Sequence, residues 1–346
     1  MEQCDSLNLR ERSILEAVIG SYIATASPVG SRTLSRSYNL GLSPATIRNT
    51  MSDLEEKGYL YQPHPSAGRV PTDMAYRLHV DNITGRHLDT APKSVLQALS
   101  QIREDLDMEK VLHRAADALS VITSELGFGI EPLVDEGVLE AVDLIRVSSE
   151  RAMLVLTIQR GVVKTIFIEL DSHVDDAGLE KLASRLNERL TGLTLNEIRR
   201  TARVRLKDAV EGEKDPLNIF VQSADTLFEL NKGDSELVFG ATSRLAEQPE
   251  FSDQGGLRSL IGLTESKHSL VEIMKNRAAD KGGLVISIGG ENELSDLASF
   301  TLVTDTYQIG KMRGIIGVIG PTRMSYSRII SVVECTSRLL SEILDR

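Results

Sequence analysis

Between residues 9 and 24 the apolar side chains Ile14, Leu15, Val18, Ile19 and Tyr22 recur at helical spacing, which predicts a helix with one buried stripe. Pro28 and Gly30, in the run TASPVGS, stop it, because neither continues a helix comfortably. A short second helix is predicted from Ser31, acting as its cap, to about Tyr38, after which Asn39 and Gly41 supply a tight turn. Ser43-Pro44 opens a third helix with a side-chain cap and a proline in the first turn, and Gly58 closes it. Two helices joined by a glycine-containing turn make the helix-turn-helix pattern. In YLYQPHPSAGRVPT, residues 59–62 and Arg69-Val70 are expected to pair as short strands around a Pro-, Ser- and Gly-rich tip, a wing. Thr72-Asp73 then starts a helix carrying Tyr76, Leu78 and Val80.

Ala91-Pro92 marks a boundary, and helical spacing follows from Lys93 to about Leu126 with a break near Asp107. Beyond Gly137 the period becomes that of strands: residues 139–147, 152–158 and 162–170 are β-rich runs separated by SSER and QRG, the pattern of an antiparallel meander. A helix is predicted over 175–190, and 192–249 is helical in pattern without clear strands. Helices near 257–261 and 269–279, strands at 284–288, 302–308 and 314–319, and a closing helix from Ser325 complete the chain. Strands on both sides of a helical middle predict an α+β protein, with one domain interrupted by a helical insertion.

At 346 residues, two or three domains are expected. No apolar run approaches the ~20 residues that span a bilayer, and the first residues lack the apolar stretch of a secretory signal, so a cytoplasmic protein with no membrane partner is expected. Cys4 and Cys335 stand far apart without further Cys or His at ligand spacing, which favours free thiols over a disulfide. The net charge of −11 opposes phosphate binding only if it is spread evenly. It is not: through residue 80 eight bases match eight acids, and the acidity belongs to the remainder. A near-neutral N-terminal region can show a local basic face, but tight DNA binding would then need a dimer.

On the third predicted helix Ile47, Met51 and Leu54 share the anchoring face, which puts Ala45, Asn49 and Ser52 opposite with Thr46 and Arg48 on the flanks. In the major groove an Asn pairs bidentately with adenine, an Arg with guanine, and an Ala or Thr methyl meets the thymine methyl. Ser31, Arg32 and Thr33 at the start of the preceding helix are candidate phosphate contacts, and Ser43 at the cap is a further candidate DNA-binding residue. His64, Ser66 and Arg69 are candidate wing contacts, to phosphate or minor groove. The bland alternative is an ordinary helical arrangement whose Arg48 and Arg69 are solvated surface.

An enzyme is the main rival. The glycines of SIGGENE (287–293) suggest a backbone anion nest, and Gly310, Gly314, Gly317 and Gly320 a phosphate loop. Neither follows the order of a nucleotide-binding loop, and turns or close strand packing explain them as well. His79, Asp81 and His87 do not share a helix face, so no metal is expected, nor any cofactor or catalytic set. A ligand-sensing regulator stays open, although the chain has no Trp and only 4% aromatic residues to line a pocket.

The runs TASPVGSRTL (25–34), LSPATIRNTMSDLEEKGYL (42–60) and QPHPSAGRVPTDMAYRLHVD (62–81) resemble the N-terminal signatures of the HrcA-type heat-inducible transcription repressors. IGGENELSDLASFTLVTDTYQIG (288–310) and GIIGVIGPTRMSYSRII (314–330) resemble that family's second block, in the right order. The resemblance implies a winged-helix DNA-binding domain (1–88), a GAF-like domain (89–191 and 250–346) and an inserted dimerisation segment (192–249). It also implies repression of chaperone operons by a homodimer on an inverted-repeat, CIRCE-type double-stranded DNA operator, with a GroE-type chaperonin as partner.

Overall fold

The structure is a computed structural model that describes residues 7–84, 108–170, 174–208, 210, 215, 217–227, 237–252, 254–265, 267–292 and 294–345. The boundary at Ala91-Pro92, the helical run 93–107, Cys4 and His87 lie outside the described residues.

Asn8 opens α1 (Leu9–Thr25): its side chain accepts from the Glu11 amide and the Glu11 carboxylate accepts from the Asn8 amide, both at 3.0 Å. This reciprocal cap satisfies two N–H groups that the helix cannot pair internally. Ile14, Leu15, Val18 and Ile19 are buried as the periodicity predicts. In α2 (Ser31–Ser37) the cap is Gly30, which makes no side-chain bond, so Ser31 is the first helical residue and not the cap expected of it. Ser43 does cap α3 (Pro44–Glu56), accepting from the Thr46 amide at 3.1 Å. The hairpin is short, with β1 (Leu60–Tyr61) antiparallel to β2 (Val70–Pro71). Thr72 caps α4 (Asp73–Ile83), the last element of this N-terminal head.

The body begins with α5 (Met108–Thr123) and β3 (Leu126–Leu133). Leu126 was expected to end a helix and instead starts a strand. The first five residues of β3 are all buried, so the alternation that marks a half-exposed strand is missing and the run mimics a buried helix end. In the same way β7 (Leu237–Phe239) lies in the stretch predicted to lack strands, being only three residues long.

Sheet pairing sets the meander apart from the main sheet. The strands β4 (Leu139–Ser148), β5 (Arg151–Ile158) and β6 (Val162–Glu169) form the predicted meander, but as a separate three-stranded sheet. Helices α6 (Asp176–Leu190), α7 (Leu195–Lys207) and α8 (Leu217–Leu227) follow it. Asn187 of α6 ties the helix to the sheet: its amide donates to the Val142 carbonyl at 2.7 Å and its oxygen accepts from the Val142 amide at 2.8 Å. The main sheet is antiparallel, in the order β7-β3-β10-β9-β8, with β8 (Val285–Ile288), β9 (Phe300–Ile309) and β10 (Met312–Pro321) returning after the short α9 (Ser243–Ala246), α10 (Gln254–Glu265) and α11 (Lys267–Lys281). The chain thus leaves the main sheet after β3 and rejoins it at β7, with the meander and α6 to α8 between the two. Alternation identifies a strand but says nothing of its partner, which is a non-local matter.

Alternate side chains of β10 feed two cores. Ile315 and Ile319 join Phe251 and Phe300, whose rings stack at 5.3 Å, while Ile316 and Val318 join the layer under α5 and α12 (Tyr326–Leu344). Cys335 in α12 is a free, buried thiol. The α+β class predicted from the pattern is what the chain adopts. Among the described residues no helix is long and apolar enough to cross a membrane, and no cluster of His, Cys, Asp and Glu could hold a metal ion.

Candidate nucleic-acid interface

In α3, Ile47, Thr50, Met51 and Leu54 are buried, which fixes the rotation of the helix about its axis. Ala45, Arg48, Asn49 and Ser52 are consequently exposed together on the opposite side. The far end of α3 is pinned to α1 by Lys57, whose Nζ donates to both Glu11 carboxylate oxygens at 2.8 and 2.9 Å. Those bonds hold the Glu11 carboxyl below its ordinary range in spite of its burial. Ser43 and Thr46 bond each other on the cap, their hydroxyls 2.9 Å apart, and Ser43 is exposed. On α2, Arg32 and Thr33 are exposed and Ser31 half-buried. The polar stripe of α3 thus has a basic neighbour in α2 and a tip, carrying exposed His64 and Ser66, in the hairpin.

Arg69 is placed differently from what its position in the sequence suggested. Its side chain is largely covered, and Nη2 pairs with Glu55 of α3 at 2.7 Å. Its backbone exchanges two hydrogen bonds with Val29, at 2.8 and 2.9 Å, adding a one-residue third strand to the hairpin. Gly68 makes this possible, because a Cβ there would lie 2.4 Å from the Val29 carbonyl carbon. At the tip, the Gln62 amide donates to the Pro65 and Ala67 carbonyls at 3.0 and 2.8 Å. Sequence reasoning missed Val29, Glu55 and Gln62, since a single bridging residue carries no periodic signal. Arg69→Ala should therefore act on stability, lowering it by about 1 kcal/mol, or about 2–4 °C in Tm, and Glu55→Gln should do the same. A melting curve unchanged by Arg69→Ala, with DNA affinity uniformly weaker, would return Arg69 to the phosphate contacts.

The features that suggested an enzyme have structural occupants. Gly314, Gly317 and Gly320 lie within β10, where neighbouring strands and side chains close on them. The SIGGENE turn faces α4: the Gly290 amide donates to Asp73. His79 Nδ1 lies 2.7 Å from Glu16 Oε2, and among the described residues no group of three or more His, Cys, Asp or Glu could hold a metal ion.

An exposed polar helix face on a small capped head, carried by a larger α+β body, is an arrangement suited to a regulator, and comparison with known proteins makes the class a transcription repressor. Heat-inducible transcription repressor HrcA of Chlorobium phaeobacteroides (strain DSM 266 / SMG 266 / 2430) is 39% identical over 358 residues, covering 99% of this chain and all of the relative. Its counterpart in Chlorobaculum tepidum is 40% identical over 348 residues, covering 98% of each. The family model for the HrcA protein C terminal domain matches residues 109–330. The chain belongs to the HrcA family of heat-inducible transcription repressors. A crystal structure of a hypothetical protein, at 2.2 Å resolution, shares the fold, with a TM-score of 0.61 at 24% identity over 98% of this chain and 99% of the other.

Proposed function

We propose that the protein represses chaperone operons in the cytoplasm by binding, as a homodimer, an inverted-repeat operator of the CIRCE type. In this reading the N-terminal head is a winged helix-turn-helix, the five-stranded sheet and its helices are the GAF-like domain, and residues 139–227 are the inserted dimerisation unit. The observation that carries it is the exposed row Ala45, Arg48, Asn49 and Ser52 on a helix whose other face is locked in the core. Such a row fits the edges of bases in the major groove, and Arg32 and Thr33 fit the adjoining phosphates.

Dependence on a GroE-type chaperonin belongs to the same proposal. The central pair of the main sheet joins Gly129 to Ile316, and the edge pair joins Gly129 to Val238. These contacts close only after the whole meander unit has been bypassed, which slows folding and leaves strand edges open meanwhile. Heat-unfolded proteins competing for chaperonin would then lower the active repressor and release its genes.

One experiment tests both parts. Protein refolded from denaturant with and without chaperonin and ATP is titrated against DNA from upstream of chaperonin genes and footprinted. The expected result is protection of an inverted repeat, with the active fraction raised by chaperonin. Absence of a protected repeat sinks operator binding, and an active fraction that is high without chaperonin sinks the dependence.

A further inference from the structure

The glycine turn that suggested an anion nest holds an anion belonging to the chain itself. Gly289 takes φ +52°, the Gly290 amide donates to Asp73 Oδ2 at 2.9 Å, and a Cβ on Gly289 would lie 2.1 Å from that oxygen. Both the left-handed backbone and the close approach call for glycine, and the Asp73 carboxylate occupies the place at the Gly290 amide that an outside anion would need. One helical turn after Asp73, Arg77 forks onto Glu291 of the same turn: Nε donates to Oε1 at 2.7 Å and Nη2 to Oε2. Nη2 also donates to the Ile286 carbonyl at 2.8 Å. Glu291 is itself held, its Oε2 accepting from the Ile288 amide at 2.9 Å.

Three further contacts add to the junction. The Tyr76 and His79 rings lie 5.8 and 6.3 Å from that of Tyr326 on the body. At the end of α1, Arg323 Nη1 donates to the Ile23 carbonyl at 2.9 Å while the same guanidinium grips Glu250. The head is rigidly coupled to this junction, because Thr72, the cap of α4, donates from its hydroxyl to the Gly58 carbonyl at 2.8 Å, just beyond α3. A tilt of α4 therefore carries the exposed face of α3 with it.

We propose that Asp73, Arg77 and the Gly289–Glu291 turn form a clasp that fixes the orientation of the head on the body, and thereby sets the half-site spacing that the dimer accepts. The inference rests on the reading of the protein as a dimer on an inverted repeat. A head held in one orientation presents its partner half-site at high effective concentration for one spacing, whereas a loose head spreads the same binding over many spacings, each weaker.

The test uses the full chain and a series of operators in which the spacing between half-sites varies. Wild type is expected to show a sharp optimum. Arg77→Glu should lose about tenfold in affinity at that optimum, the scale of one bidentate ion pair, with binding to an isolated half-site unchanged and the optimum flattened. The double variant Arg77→Glu/Glu291→Arg should restore the optimum. Asp73→Asn, nearly isosteric, should move the same way by less and keeps the test open if Arg77→Glu does not fold. A readout without DNA accompanies it: spin labels on Ser37→Cys and Ser327→Cys, both exposed, in a Cys4→Ser background. Their distance distribution should be narrow and should broaden in Arg77→Glu. An unchanged distribution, or an optimum as sharp as in wild type, overturns the clasp. If wild type binds an inverted repeat no better than a half-site, dimeric operator recognition fails instead, and the distance measurement still judges the clasp.

Discussion

In the proposed homodimer, Phe167→Asp is expected to give a monomer and to lower affinity for the proposed full operator by about 10²–10⁴-fold, the avidity lost when two heads are no longer linked. The three-stranded meander sheet buries one face against α6 and leaves the other outward. On that outward face Ile145, Met153 and Phe167 stand in one cross-strand row, with Val163 further along β6. Phe167 is 65% exposed, Ile145 49% and Val163 51%. An antiparallel sheet that meets water on one side ordinarily shows polar residues there, so a contiguous apolar face marks a contact. A second copy is the occupant that requires no other surface, since a two-fold axis sets this patch against itself. A carboxylate in its centre would be buried without a partner, at a cost of several kcal/mol. Phe167 is on the body and far in sequence from the head, so binding to a single half-site should not change. Sedimentation velocity and gel shift on full and half operators measure both quantities; a variant that remains dimeric would place the contact elsewhere, with α7, where Val204 is exposed, as the next surface to test.

Asn49→Ala and Arg48→Ala should each relax discrimination between the operator and a mutated operator by about 1–3 kcal/mol, the worth of a bidentate base contact. Neither side chain supports the core: both are exposed, on the side of α3 away from Ile47, Met51 and Leu54. The melting temperature should therefore hold while specificity falls, the reverse of the result expected for Arg69→Ala. The two variants should also lose preference at different base pairs, because Asn favours adenine and Arg guanine. Competition titrations of specific against random DNA decide it. Equal losses on both would make these residues backbone contacts and shift base recognition to Ala45, Ser52 or the hairpin tip.

Local signals in the sequence determined most of the head. The Ser43-Pro44 start of α3, the spacing of Ile47, Met51 and Leu54, and the turn around Gly41 are decided within a few residues, by capping, helical period and backbone freedom. The meander was legible for the same reason: a half-exposed strand writes its alternation into the chain. Where burial is complete, as in the first half of β3, that alternation vanishes, and where a strand is three residues long, as in β7, no period exists to read. Pairing across long separations was beyond any local pattern, so the sequence did not tell that the meander leaves the main sheet or that Val29 bridges to Arg69. Charge pairing was equally hidden. Arg69 looks in sequence like a wing arginine open to phosphate, and only the fold brings Glu55 to it; Asp73 and Arg77 look like an ordinary helix start, and only the fold brings Glu291 and the Gly290 amide within hydrogen-bonding reach. A side chain's type is set by the sequence, but its partner is set by which surfaces the packed core brings together, and an ion pair or nest takes its geometry from that packing.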